Sequence, residues 1–517
     1  MKLNYKRTIC VGFAFFLICA FWQAYDNTIP LILTNKFGMS QAWSGVIMAL
    51  DNILALFLLP LFGAISDKHT GRRGRRTPFI VFGTIVAAIA FISLALVDDA
   101  QLKNIDAAAA IDDPAALRVV YQQEADRTLR TPDGETFVLE DTFTEDEFSA
   151  ITSQVTNAEG KTVTNHDYTN YVVPARQAYA HQTTVQHPGA LIGFIALLLV
   201  VLVAMATFRS PAVALMPDVT IKPLRSKANA VINLMGTAGG ILVLAIGMAF
   251  ATSSVRNSLM SYTAYFAVIA GIMLVALLIF RLTVNEPKFV TEMQADSKRF
   301  GIDNGDDDAS AGSGKLGKAE RRSLIFLLLS IVLWFFGYNA VTSKYSVYAS
   351  NILHKDYNLT LMLAQAAAIV AYLPVGIVAS KIGRKKTILG GVVMLAVAFG
   401  VAAFLNAESP TMLMNAMFCL AGIGWATINV NSFPMVVEMC SGSDVGRYTG
   451  FYYTASMAAQ VVTPMFSGFL MDKLSMTVLF PYAAIFVAGA FVTMLFVRHG
   501  DSRPIPAKGL EALDVDD

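Results

Sequence analysis

Charge is scarce in this chain. Asp, Glu, Lys and Arg make up 15% of its 517 residues, and 55% are hydrophobic. An ordinary soluble domain carries about 25% charged residues, so the composition argues against a soluble protein and for a bilayer. The net charge of +1 leaves no overall field that would attract nucleic acid. Cysteine is also rare: Cys10, Cys19, Cys419 and Cys440 lie in or beside apolar runs with no CxxC spacing, which excludes a disulfide framework and a zinc site. No phosphate-binding P-loop occurs, so ATP is not expected to drive the protein directly. The six histidines (His69, His166, His181, His187, His354 and His499) sit in loops or at the ends of apolar runs. A membrane-embedded enzyme would need a metal or nucleophile–base cluster inside the spans, so neither an enzyme, a metal nor a cofactor is expected.

Long apolar runs are what the chain has in quantity. A helix crosses the bilayer core with about 20 apolar residues. Twelve such runs start near Thr8, Gln41, Phe79, Gly189, Lys227, Ser258, Ser323, Leu359, Thr387, Pro410, Val445 and Met476. The first, from about Ile9 to Leu33, is too long for a signal-peptide core and reads as a retained span. Two polar segments interrupt the series. Val97 to Pro188 holds 16 Asp plus Glu against 6 Lys plus Arg, a net of −10. Asn285 to Arg322 contains "DNGDDDASAGSGKLGKAERR" and reads as a flexible linker.

The expected organisation is therefore an all-α membrane protein of twelve transmembrane helices. A six-helix half spans 1–284, with an insert at about 98–188. A linker covers 285–322, a second six-helix half 323–500 and a tail 501–517. In the insert, "TFTEDEFSAITSQV" has Thr144 and Glu147 at capping-box spacing for a helix start. The insert as a whole is expected to be disordered or a small lid-like piece.

Basic residues gather on one side of this topology: Lys6 and Arg7, Arg72 to Arg76, Lys222 to Lys227, the linker, Lys381 to Lys386, Arg498 and Arg503. The positive-inside rule then puts both termini and the linker in the cytoplasm and the acidic insert outside. The basic loops also repeat. "GAISDKHTGRRGRR" from Gly63 and "GIVASKIGRKK" from Gly376 each join the second and third spans of a half. "MPDVTIKPLRSKANAV" and "FPMVVEMCSGSDVGRYTGFY" echo one another with a Pro, an acid (Asp218; Glu438) and a later Arg (Arg225; Arg447). Two repeated six-span halves are a transporter architecture.

With these motifs the chain resembles the major facilitator superfamily along nearly all its length apart from the insert. "SDKHTGRRGRRTPFI" is similar to the "SDR…GRRRPFI" loop of sucrose carriers, kin to the glycoside–pentoside–hexuronide:cation symporters. "RSPAVALMPDV" is similar to their "GPxRALLADL" run. The resemblance implies a secondary carrier working by alternating access, a symporter that takes up a sugar or glycoside together with a cation, usually a proton. The expected setting is the plasma membrane, as a multi-pass monomer surrounded by lipid. Two departures bear on this. Val213 replaces the Arg of the span 4 run, with Arg209 one turn earlier. Ala55 and Leu59 replace the two carboxylates that bind sodium in melibiose-type carriers, which favours a proton. A carrier for a drug or an organic ion is the alternative.

Ionisable residues inside spans are costly and mark function. Asp26 in span 1 and Lys344 in span 7 occupy matched places in the two halves, and Arg209 lies in span 4. The resemblance puts spans 1, 4, 7 and 10 around the cavity. Lys344 is the expected partner of Asp26, either as a coupling element or as a plain structural ion pair. Asp51 lies in span 2 at a depth like that of Asp26. Trp22, Gln23, Asn339, Trp425, Asn429 and Asn431 supply the hydrogen-bonding groups and aromatic faces that a sugar needs. By resemblance, Gly63, Asp67, Arg75, Arg76, Asp218, Arg384, Glu438 and Arg447 are gating residues at the cytoplasmic edge.

Overall fold

A computed structural model describes residues 3–157, 160–221, 224–299, 317–437, 439 and 445–499. Twelve long helices carry it: α1 Tyr5–Asn35, α2 Gln41–Lys68, α3 Thr77–Asn104, α4 Gly189–Val219, α5 Arg225–Ala249, α6 Thr263–Thr283, α7 Lys318–Tyr348, α8 Tyr357–Ile382, α9 Arg384–Ala402, α10 Thr411–Val437, α11 Val445–Lys473 and α12 Leu479–Leu495. Among the described residues, ten are long and apolar enough to cross a bilayer. Of the other two, α8 contributes a shorter apolar stretch, Tyr357–Tyr372, and α11 is interrupted by Ser, Thr, Gln and Gly.

Local chemistry sets the ends. Ser40 accepts from the Trp43 amide at the start of α2, Asp356 accepts from the Asn358 amide at the start of α8, and Pro78 opens α3. Pro30, Pro60, Pro211, Pro217, Pro374, Pro434 and Pro464 lie inside helices. Such prolines are tolerated in spans where neighbouring groups take up the freed carbonyls. α6 begins at Thr263 rather than near Ser258, because Asp99 draws in the Ser261 and Thr263 hydroxyls at 2.6 Å each.

Each half has its own apolar core. One gathers Leu17, Phe21, Phe91, Phe194, Phe208 and Phe266. The other gathers Trp334, Tyr345, Phe399, Phe418, Phe480 and Val487, and takes in Leu31 from α1. At one end of the first half lies a fully buried ion pair. The Lys36 ammonium donates to both Asp98 carboxylate oxygens, at 2.7 and 2.6 Å, and to the Met260 carbonyl at 2.7 Å.

The described residues of the insert are folded, so of the two expectations, disorder or a small lid-like piece, disorder does not hold. α3 continues to Asn104 before it begins. Helices at Pro114–Glu124 and Val173–Gln186 and two hairpins follow, β1 Thr128–Arg130 with β2 Thr136–Val138, and β3 Gln154–Thr156 with β4 Thr162–Thr164. Leu117, Val120, Leu139, Phe148, Tyr168 and Val172 form its core. That much buried apolar surface offsets the cost of ordering the segment despite its acidic composition. The capping box at Thr144 and Glu147 opens the helix Glu145–Ser149. The linker is also not flexible throughout, since Glu286–Arg299 is helical. Its remaining expected stretch up to Leu316 lies outside the described residues, as does the tail from Asp501.

The halves meet at the insert side. There α2 crosses α11 with so little space that a Cβ on Gly45 would fall 2.0 Å from the Pro464 carbonyl oxygen, and one on Gly468 2.2 Å from that of Gln41. α5 meets α8 where the Tyr357 hydroxyl donates to Thr252 Oγ1 at 2.8 Å and Asn358 Nδ2 does so at 3.1 Å. A further hydrogen bond between the halves, Gln365 to Gln23, lies part-way down.

Candidate functional site

Asp26 projects from α1 and Asp51 from α2. Both are half-buried and within electrostatic reach of one another. Asn52 Nδ2 donates to Asp51 at 2.8 Å. Arg209 on α4 lies within reach of Asp51, and its guanidinium sits 5.8 Å from the centre of the Trp22 ring. Trp22 packs edge-on against Tyr25, with ring centres 5.3 Å apart. The Trp22 indole nitrogen and the Tyr25 hydroxyl are buried without a hydrogen-bond partner. Orphaned polar atoms of this kind are costly unless something else satisfies them. Three helices of one half thus bring together two carboxylates, a guanidinium and two unsatisfied donors.

The other half contributes different chemistry. Tyr338 on α7 stacks on Trp425 of α10, with ring centres 3.6 Å apart and planes 3° from parallel. Asn339 lies next along α7, and its Nδ2 is buried without a partner. Between the halves, Gln365 Nε2 of α8 donates to Gln23 Oε1 at 2.5 Å. Asn431 is buried, and its Nδ2 donates to the Thr427 carbonyl of its own helix at 2.9 Å. Asn429, half-buried, accepts from Ser432 only through its main-chain carbonyl.

Lys344 does not partner Asp26, which corrects the expected pair. It is fully buried near the insert side, donates to the Gln41 carbonyl at 2.6 Å and faces Asp472. Matched depth on two helices fixed the height of the two residues but not the direction in which each points. Asp472 itself closes the start of α2, accepting from the Gln41 and Ala42 amides at 2.8 and 2.7 Å. A carboxylate at a helix N-terminus also meets the positive end of the helix dipole.

At the opposite edge the sequence-marked charges assemble. Arg75 pairs bidentately with Asp218 at 2.6 and 3.1 Å, and Arg76 Nε reaches Asp218 at 2.8 Å. Arg76 also pairs with Asp67 and donates to Ser66 Oγ at 2.5 Å. Gly63 lies where α2 approaches α4, since a Cβ there would stand 2.9 Å from Ser210 Oγ. Arg384 is half-buried at the start of α9. Glu438 and the Arg447 side chain lie outside the described residues.

Glu286 is the residue that sequence reasoning missed here. Its buried carboxylate accepts from the Arg75, Arg76 and Thr77 amides at 2.8, 2.9 and 2.8 Å, and from the Thr77 hydroxyl at 2.7 Å. It therefore caps α3 from the far end of the half. Gly74, at φ +99°, makes room, because a Cβ there would meet the Glu286 carboxylate at 2.3 Å. Glu286→Ala is expected to cost about 3 kcal/mol by stranding these donors, read as a lower midpoint of heat unfolding, with Glu286→Gln losing less. An Ala variant as stable as the parent would remove Glu286 from this role. No local sequence signal marked it, because the loop it caps lies 211 residues away in the chain.

Comparison with known proteins follows the geometry. The profile described as "Major Facilitator Superfamily" matches residues 183–367 and 352–513, and one described as "MFS/sugar transport protein" matches residues 10–102. The chain is 40% identical to the sucrose transport protein SUC4 of Arabidopsis thaliana over 55 residues, 11% of either chain. It is 24% identical to the MFS-type transporter ppzB of Metarhizium rileyi over 147 residues, 28% of this chain and 29% of that one. The matched stretches thus span 11% and 29% of these relatives. Among solved structures, the inward open conformation of the xylose transporter XylE from E. coli is similar over 98% of both chains, with a TM-score of 0.57 and 15% identity.

Proposed function

Because this chain belongs to the major facilitator superfamily, a family of multi-pass membrane transporters and not of enzymes, we propose that it takes up a sugar or glycoside together with a proton by alternating access. The observation that carries this reading is the Asp26–Asp51 carboxylate pair beside Arg209 in one half, together with the Tyr338–Trp425 stack and the unpartnered Asn339 amide in the other. Aromatic faces suit the apolar side of a sugar ring, and amide, indole and guanidinium donors suit its hydroxyls. A carboxylate inside a span is a group that can take up and release a proton as its surroundings change. Ala55 and Leu59 support a proton over sodium. The loop likeness to sucrose carriers and the short stretch shared with SUC4 support a sugar.

On this reading residues 1–284 and 323–500 are the two halves that rock about the site, joined by the 285–322 linker. Asp67, Arg75, Arg76 and Asp218 hold the linker side of the first half, and Gln41, Lys344 and Asp472 shut the insert side. The protein is a monomer in the plasma membrane, with both termini and the linker cytoplasmic and the insert outside.

Vesicles given a panel of labelled sugars are expected to show saturable uptake and counterflow, stimulated by an inward proton gradient and indifferent to sodium. A strict sodium requirement would overturn the coupling ion. Transport of an organic ion or drug but of no sugar would favour the alternative substrate class.

A further inference from the structure

The insert is built onto one half but grips the other. It continues directly from α3 and into α4. Gln101 Nε2 donates to Thr184 Oγ1 at 3.0 Å and Gln177 Nε2 to Asn35 Oδ1 at 2.9 Å, which ties it to the first half. Its β1–β2 hairpin reaches the end of α11 in the second half. There Arg130 Nη1 donates to the Asp472 and Lys473 carbonyls at 2.9 and 2.7 Å. The last carbonyls of a helix lack partners within it and carry its negative dipole end, so a guanidinium is well matched to them. The Met476 amide donates to the Pro132 carbonyl at 2.8 Å, and a Cβ on Gly134 would fall 2.3 Å from the Leu474 carbonyl oxygen. A second contact sets the His166 ring 6.1 Å from that of His354.

Both grips close over the seam where the halves meet. Asp472 belongs to both devices, because its carboxylate caps α2 while its carbonyl receives Arg130. We propose that the insert is a latch: its β1–β2 hairpin holds the end of α11 against the first half, and it must let go before the insert side can open. The latch sets how often the protein leaves its closed-at-the-insert state, and so sets turnover without touching substrate. The inference rests on the alternating-access reading above.

Spin labels at Val185→Cys, on the insert helix that is tied to the first half, and at Phe404→Cys, on the second half, both strongly exposed, report the separation of the two across the seam in purified protein in nanodiscs. The native cysteines are replaced in this background. Arg130→Ala is expected to raise the population at the longer distance about tenfold, the effect of losing one charge-assisted grip, and Arg130→Lys to restore part of it. An unchanged distance distribution in Arg130→Ala, with the insert still resistant to protease, would overturn the latch. In a second arm, Pro132→Cys with Met476→Cys is cross-linked. Transport is expected to stop and to return with reductant, and a fully linked protein that transports at the reduced rate would also overturn it. If the reduced protein moves none of the sugars tested, the carrier reading fails and the spectroscopic arm alone decides the latch.

Discussion

Asp26→Asn abolishes uphill accumulation and leaves downhill exchange: that is the expected result if the Asp26–Asp51 pair carries the proton. Asn can still hydrogen-bond a sugar hydroxyl but cannot titrate. The accumulation ratio should therefore fall to unity, while counterflow of labelled substrate survives. Asp51→Asn should resemble it in accumulation but also disturb Arg209, which would lose the charge it faces, so exchange should weaken as well. Because Lys344 contacts Gln41 and faces Asp472 instead, Lys344→Ala should not rescue Asp26→Asn. It should loosen the insert-side seam in its own right. Full accumulation by Asp26→Asn in vesicles with an imposed proton gradient would sink the coupling role.

Lys36→Ala should be the most damaging change to stability among the residues described. Lys36 and Asp98 are both fully buried, the ammonium is satisfied by three oxygens, and it lies 4.7 Å from the centre of the Tyr262 ring. Removing the cation alone strands a carboxylate in a low-dielectric site, which costs about 3–5 kcal/mol. Asp98 also accepts from the Tyr262 amide, so α1, α3 and the start of α6 should loosen together. Replacing both charges, as in Lys36→Met with Asp98→Leu, should recover much of the loss, because two apolar side chains leave nothing unpaired. Detergent unfolding of the two single variants and the double variant measures this. A Lys36→Ala protein as stable as the parent would show that the pair is not holding these helices together.

Read alone, the sequence determined the class, the number of long helices and the repeated basic loops. Those features are one-dimensional: runs of about 20 apolar residues and charges that stand out between them. It also marked Asp67, Arg75, Arg76 and Asp218, which the fold brings into one cluster, because charged residues at span ends are few and conspicuous. Tertiary structure alone decided which charges meet. A position in a helix gives height, whereas the contact depends on which way the side chain points and which helix stands there. Asp26 therefore lies within electrostatic reach of Asp51, and Lys344 reaches the Gln41 carbonyl, 303 residues away in the chain. Glu286 and Asp472 were illegible for the same reason, since each caps a helix from another part of the chain, 211 and 431 residues distant. The insert read as polar and loose because its hydrophobic residues are spread over short elements with no sustained period. Only their convergence on Leu117, Leu139, Phe148 and Tyr168 made a core able to outweigh the entropy of ordering it.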